Sequence, residues 1–178
     1  MRSLRVAAPL TLLAALAGCG SMNIFGSSEP EPACPAAIVV ADLSRATEFR
    51  PGPGRDLADV VHTAGIERVD TSCTYDRRRK VTVQTTVNLM VERGPAERAR
   101  QADITYFVAL ANPQGQVTTR ETFTIPVRFT GNYTRMQASE ETETVIPLGG
   151  GSGAGYRIYV GFPLSPEQLE FNRQQGPR

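Results

Sequence analysis

The chain has 178 residues, with 19 Lys plus Arg against 18 Asp plus Glu, so its charge is close to neutral. This balance argues against nucleic acid as a partner, because a nucleic-acid-binding domain concentrates positive charge. One histidine and three cysteines without C-x-x-C or H-x-x-x-H spacing predict no metal site. We interpret the histidine, His62, as a surface residue or a strand residue whose hydrogen bonds are satisfied.

The first 18 residues have the layout of an export signal. Arg2 and Arg5 supply positive charge, and residues 6–17 form an apolar run of 12 residues, which is shorter than a membrane span. The run ends in LAGC, with Cys19 last, which resembles the lipobox of bacterial lipoproteins. The resemblance implies that residues 1–18 are removed and that Cys19 receives diacylglycerol on its sulfur and a fatty acyl chain such as palmitate on its amino group. The alternative is an ordinary secretory signal with an incidental cysteine.

A lipid anchor at Cys19 predicts a membrane-attached chain that does not span the bilayer. Removing residues 1–18 takes away two arginines, which leaves 17 Lys plus Arg against 18 Asp plus Glu and a net charge of −1. Gly20 and Ser21 follow the cysteine, where some bacteria use Asp to retain lipoproteins at the inner membrane. We therefore expect the periplasmic face of the outer membrane, with the inner membrane as the alternative.

Residues 19–33 comprise the lipidated cysteine and a segment, GSMNIFGSSEPEPA, that is rich in Gly, Ser, Pro and Glu. It has neither helical nor strand periodicity and predicts a flexible tether. Residues 34–178 have the usual size of one domain with one core.

Most of this domain alternates apolar and polar residues with period two, as a strand buried on one face requires. The clearest case is KVTVQTTVNLMVER, residues 80–93. The same pattern or a shorter form of it predicts six further strands, at residues 37–41, 66–75, 102–111, 121–129, 141–148 and 156–162.

The remaining pattern defines the fold class. Residues 165–172 predict a short C-terminal helix, with Ser165 as its N-cap and Pro166 at its first position. Pro126 lacks a ladder donor, so its strand should lie at a sheet edge or carry a bulge. We expect an all-β antiparallel sandwich of about seven strands with immunoglobulin- or fibronectin-like topology, and a small β-barrel as the alternative.

Cys34 and Cys73 remain once Cys19 is assigned to lipid. Because the bacterial periplasm is oxidising, the two should form a disulfide. The alternative is a pair of unpaired buried thiols.

Two segments are candidates for binding. The first, DRRRK at residues 76–80, places Arg77, Arg78 and Arg79 between two strands, where they can attract phosphate-bearing headgroups or an acidic partner. The second is the Pro- and Gly-rich segment at residues 44–60, a long loop of the kind that often carries recognition. The alternatives are a charged hairpin turn and a plain surface loop. The contact candidates in the second segment are Phe49, Arg50, Arg55 and Asp56.

Catalytic patterns are sparse. Ser152 in GGGSGAG misses the G-x-S-x-G elbow, because Ala154 occupies its last position. The same glycines lack the following helix that a dinucleotide site needs. We therefore predict no enzyme activity, no catalytic residue and no cofactor.

The mature chain also resembles uncharacterised envelope lipoproteins of Gram-negative bacteria, through Cys34-Pro35, Cys73-Thr74-Tyr75, residues 106–109 and the ending GYRIYVGFPLSPEQLEFNR. This resemblance implies an envelope location and adds no mechanism. Two functions remain open: a non-enzymatic accessory or scaffold that binds another envelope protein, or a carrier that holds a small apolar ligand or lipid between its sheets. The many inward-facing Val, Ile, Leu and Phe residues favour the first.

Overall fold

The computed structural model describes residues 32–76, 79–149 and 152–175. The predicted signal peptide, Cys19 and all but the last two residues of the tether lie outside them. Eight strands in the described part form two four-stranded sheets: sheet 1 with order β1-β8-β5-β6 and sheet 2 with order β2-β3-β4-β7. Their bounds are β1 Ala36–Val39, β2 Arg45–Phe49, β3 Val60–Tyr75, β4 Lys80–Arg93, β5 Gln101–Ala111, β6 Val117–Arg128, β7 Arg135–Pro147 and β8 Arg157–Gly161.

The strand predicted at residues 80–93 is confirmed as β4 with the same bounds. Its partner β3 is longer than predicted, since it begins at Val60 rather than near Ile66. The start of β3 is hidden in the sequence by a register shift between Ile66 and Arg68 in the β3–β4 pairing. The extra residue changes which parity of residues faces inward, so that one strand presents two alternation patterns in opposite phase.

The two-sheet sandwich is confirmed, but three finer expectations are wrong. Strand β1 pairs with β8 in parallel, which makes sheet 1 mixed rather than antiparallel. Strand β2 lies in the segment that we interpreted as a long loop. The pairing β2-β3-β4 and β5-β6 within sheets differs from the immunoglobulin order, in which the sheets are ABED and CFG. Within the described residues the sheets do not close into a barrel, which was our alternative.

The core lies between the two sheets. Sheet 2 contributes alternate residues of β3, β4 and β7, and sheet 1 contributes alternate residues of β5, β6 and β8. The largest fully buried apolar side chains include Tyr106, Phe162, Leu89, Ile146 and Ile158. Pro126 lies on β6, an edge strand of sheet 1, as predicted.

The C-terminal helix α1, Pro166–Gln175, starts at the predicted position. Ser165 Oγ accepts a hydrogen bond from the Gln168 N–H at 3.2 Å, and the Ser165 N–H donates to Gln168 Oε1 at 2.9 Å, so the two residues form a capping box. Asn172 Nδ2 donates to the carbonyl of Arg45 at 2.7 Å, and Gln168 Nε2 donates to that of Thr47 at 3.1 Å. The helix thereby satisfies carbonyl groups on β2, an edge strand of sheet 2.

The Cys34–Cys73 disulfide is present, with the two Cα atoms 5.7 Å apart. It joins the segment before β1 to the end of β3 and so links the two sheets. Tyr75 Oη donates to the carbonyl of Ala33 at 2.7 Å and accepts from the Gly153 N–H at 3.2 Å. These contacts fix the point where the tether enters the domain. We call this end of the sandwich the tether end.

Candidate functional site

The loop at residues 50–59 is held by an ion pair. Arg50 Nε lies 2.5 Å from Asp59 Oδ1, and the Asp59 side chain is 7% exposed whereas that of Arg50 is 64% exposed. The Asp56 N–H also donates to Asp59 Oδ2, at 3.3 Å. A Cβ at Gly54 would clash with that oxygen, so the Asp59 carboxylate packs directly against the Gly54 backbone. This loop is therefore folded around one buried carboxylate.

Two other predicted contact residues, Phe49 and Arg55, pack against helix α1. The Phe49 ring meets that of Phe171 edge to face, with centroids 5.1 Å apart. Arg55 lies 5.4 Å above the Phe49 ring and donates to Glu167 at 2.9 Å. It also donates to two carbonyls of its own loop. The structure therefore brings Phe49, Arg50 and Arg55 into contacts within the chain, although Arg50 and Arg55, like Asp56, stay exposed at the surface.

The second sequence-predicted surface is the β3–β4 turn. Arg77 and Arg78 lie outside the described residues. Arg79 lies in the turn, with a φ of 61°. Its N–H donates to the carbonyl of Asp76, and the Lys80 N–H donates to Asp76 Oδ1 at 3.0 Å. The Asp76 carboxylate therefore holds the backbone at the first residue of β4.

A groove of about 930 Å³ runs between α1 and the outer face of sheet 2. Its walls include Phe171 on the helix and Leu57, which is 82% exposed at the surface. Its floor includes Gly65, in the interior of β3, where a Cβ would meet nothing within 4 Å. Sequence reasoning missed this surface, although a glycine inside a strand is itself a signal of a bulge or a close approach by another molecule.

The groove combines paired and free charges. Arg135 pairs with Glu92, and Arg173 pairs with Asp42 at 3.2 Å. Arg45 and Glu67 also line the groove, and neither side chain has an ion-pair or hydrogen-bond partner among the described residues. Among the described residues, the groove therefore offers Arg45 as a free cation and Glu67 as a free anion beside apolar side chains such as Leu57, Met90 and Phe171.

His62 lies on the inward-facing phase of β3, opposite Arg93 of β4 and Glu48 of β2. Its Nδ1 is buried without a hydrogen-bond partner, so our expectation of a satisfied histidine is wrong for this atom. Burial lowers the pKa of His62, and Glu48, Glu97 and Asp103 oppose that shift only in part. The imidazole is thus held in its neutral form.

A second buried polar group lies nearer the centre of the sandwich. Tyr106 Oη donates to Glu140 Oε2 across the two sheets at 2.8 Å. Burial, and then the hydrogen bond and charge of Glu140, raise the pKa of Tyr106. The phenol therefore stays protonated and serves as a donor that ties β5 to β7.

In the part of the chain that the structure describes, no group of three or more His, Cys, Asp or Glu side chains is placed to hold a metal ion. No helix among those residues has both the length and the apolar character needed to cross a membrane. No family model and no curated protein sequence matches the chain. The resemblance to Gram-negative envelope lipoproteins therefore stays a prediction that rests on the quoted motifs.

Proposed function

We propose that this chain is a lipid-anchored, non-enzymatic accessory or scaffold protein on the periplasmic face of the outer membrane, where it binds another envelope protein. The lipobox ending in Cys19 supports the anchor, and the Cys34–Cys73 disulfide is consistent with an oxidising compartment.

The packing of the sandwich supports a scaffold over a carrier. Core residues from both sheets are nearly inaccessible: Val87, Val91 and Val160 are 0% exposed, and Leu89 and Phe162 are 1% exposed. A carrier needs a cavity of several hundred Å³ between its sheets. Side chains instead fill this space at the positions that a ligand would occupy. The single observation that carries the proposal is this filled interior beside an open groove on the outside of sheet 2.

We infer that the groove is the surface that contacts the protein partner. An exposed leucine at its wall and a glycine at its floor allow close approach by an apolar side chain, and Arg45 and Glu67 offer charges to a polar rim. The loop at residues 50–59 then has a structural role, because its contacts with α1 hold one wall of the groove in place.

Affinity capture of the lipidated protein from detergent-solubilised envelopes tests this proposal. A Cβ at Gly65 meets nothing within 4 Å, so Gly65→Phe introduces a large side chain at the floor of the groove. Val145→Phe is the matched control, because Val145 is a 49% exposed residue on the same outer face, outside the groove. We expect wild type and the Val145→Phe variant to capture the same partner protein, and the Gly65→Phe variant to lose it. Equal capture by both variants contradicts the groove, and absence of any specific partner contradicts the scaffold role.

A separate experiment tests the anchor. Cys19→Ser should leave a chain that lacks acyl label and is unprocessed or mislocalised, because the lipid is the predicted attachment. The measurement is fractionation of envelopes with metabolic acyl labelling. The same label and membrane fraction as wild type would refute the anchor.

A further inference from the structure

The tether enters the domain beside the β3–β4 turn. The disulfide bonds Cys34 to Cys73, and Tyr75 Oη holds the carbonyl of Ala33 at 2.7 Å. Tyr75 is the last residue of β3, so these contacts lie at the base of the turn that Arg79 and Lys80 complete. The position of Ala33 and Cys34 relative to the end of β3 is therefore fixed by a covalent bond and a hydrogen bond.

The described turns at this end carry excess positive charge. Arg79 lies in the β3–β4 turn, and Lys80 follows it as the first residue of β4. Arg157 is the first residue of β8 and pairs with Ala36; its guanidinium also donates to the carbonyls of Ala154 and Tyr156. The turn at residues 112–116 and the segments at 147–149 and 152–156 hold no charged residue. Asp76 is the one acidic residue in these described segments, and its carboxylate accepts from the Lys80 N–H.

The backbone of Arg79 gives an independent indication. Arg79 and Arg100 both adopt the left-handed region, with φ of 61° and 57°, which is costly for a residue with a Cβ. At Arg100 the side chain makes compensating contacts, since its guanidinium donates to the carbonyls of Phe129 and Gly131. The Arg79 side chain has no partner in the described structure. The strained backbone of Arg79 is therefore not compensated by any side-chain contact among the described residues.

We propose that the tether end is a binding surface for anionic phospholipid headgroups of the membrane to which the chain is anchored, with Arg79, Lys80 and Arg157 as the cationic groups. The proposal rests on the proposed function for the location of that membrane, but the surface itself is argued from the described residues. The described chain begins at this end of the domain, with Ala33 held beside the basic groups. Contact of these groups with phosphates would orient the sandwich relative to that membrane.

Vesicle co-sedimentation tests the surface without the anchor. Residues from Pro32 onward form one compact unit with its own core, so an exported, oxidised chain of residues 20–178 is a suitable reagent. We expect it to sediment with vesicles of phosphatidylcholine plus phosphatidylglycerol, and not with phosphatidylcholine alone. Arg79→Glu with Lys80→Glu should lower the partition by at least about 25-fold, because each basic side chain near an anionic surface contributes about fivefold. Raised salt should weaken binding as well.

The matched control reverses two charges at the other end. Arg98 and Arg128 are exposed and have no ion-pair partner among the described residues, so Arg98→Glu with Arg128→Glu makes the same change in net charge. Equal loss of binding in both double variants reflects net charge alone and overturns the proposal. Equal sedimentation with neutral and anionic vesicles also overturns it, and leaves an acidic protein as the partner to examine. Because the reagent carries no lipid, failure here is distinguishable from failure of Cys19 acylation.

Discussion

Among the described residues, each end of the sandwich contains one arginine in the left-handed backbone region, Arg79 or Arg100, but the two differ in their contacts. At the end opposite the tether, the Arg100 N–H donates to Glu97 Oε1 at 2.5 Å, and Arg93 Nε donates to Glu97 Oε2 at 2.7 Å. The Glu97 side chain is 1% exposed. At the tether end the cationic side chains of Arg79 and Lys80 face solvent. The Glu97 cluster therefore uses its charges for folding, whereas the Arg79 and Lys80 side chains have no hydrogen-bond or ion-pair partner among the described residues and stay free for a ligand.

Removing the disulfide should have the largest effect on stability, and it acts at the tether end. Replacing both Cys34 and Cys73 with Ser should lower the free energy of unfolding by roughly 2 to 4 kcal/mol, because the bond restricts the unfolded chain. The strands keep their buried faces, so sheet content by circular dichroism should change little. Denaturant titration of the variant and of reduced wild type gives the size. Quantitative alkylation of either thiol in unreduced exported protein would contradict the pairing.

The stability of the end opposite the tether should depend on the charge of Glu97. Burial alone would raise the pKa of Glu97, but the hydrogen bonds from Arg93 and from the Arg100 N–H outweigh it and lower the pKa below the usual value. Glu97→Gln keeps the shape of the side chain but loses its charge. It should lower the free energy of unfolding by about 2 kcal/mol, which is typical of a lost hydrogen bond to a charged group. Glu121→Gln is the control, because Glu121 is an exposed residue of β6 without a partner among the described residues. Equal midpoints of denaturant unfolding for the two variants would contradict this role.

The same end should also be sensitive to pH through His62. Burial lowers the pKa of His62 below its usual value in the folded chain, so the unfolded chain binds the proton first as the pH falls. Stability is therefore full above the unfolded pKa and falls as pH drops through it, with a slope of at most about 1.4 kcal/mol per pH unit for one proton. His62→Gln should flatten this part of the profile. Denaturant midpoints between about pH 7.5 and pH 5.5 give the comparison, and an unchanged slope in the variant would exclude His62 as the cause.

The strands that sequence analysis located well are those with uninterrupted alternation, such as β4. The start of β3 was missed for a physical reason, because the bulge after Ile66 inverts the phase of the alternation. Strand β2 has only five residues and lies beside prolines and glycines that predict a loop. The parallel β1–β8 pair joins residues near positions 36 and 157, and local periodicity carries no information about such distant partners.

The candidate contact residues show the same limit. The predicted partner contacts of Phe49 and Arg55 stay a prediction, and the structure adds internal contacts with Phe171 and Glu167, which lie more than a hundred residues along the chain. Arg79 was selected for its charge, and only the structure shows that its backbone is left-handed and its side chain free. Gly65 is the residue in the sequence that points to the groove, because a glycine in a strand interior often marks a bulge or a close approach by another molecule.

The smallest expected effect distinguishes the two left-handed arginines directly. Arg79→Gly removes the strain without removing any contact, and should raise the free energy of unfolding by up to about 1 kcal/mol. Arg100→Gly relieves the same strain but also loses the guanidinium bonds to Phe129 and Gly131, so it should give no increase. Denaturant unfolding of the two glycine variants measures the difference. Arg79→Gly should at the same time weaken binding to anionic vesicles about fivefold, which would make it a variant that gains stability and loses a ligand. If Arg79→Gly destabilises the chain as much as Arg100→Gly does, then Arg79 has a folding role, and the contrast between the two ends no longer holds.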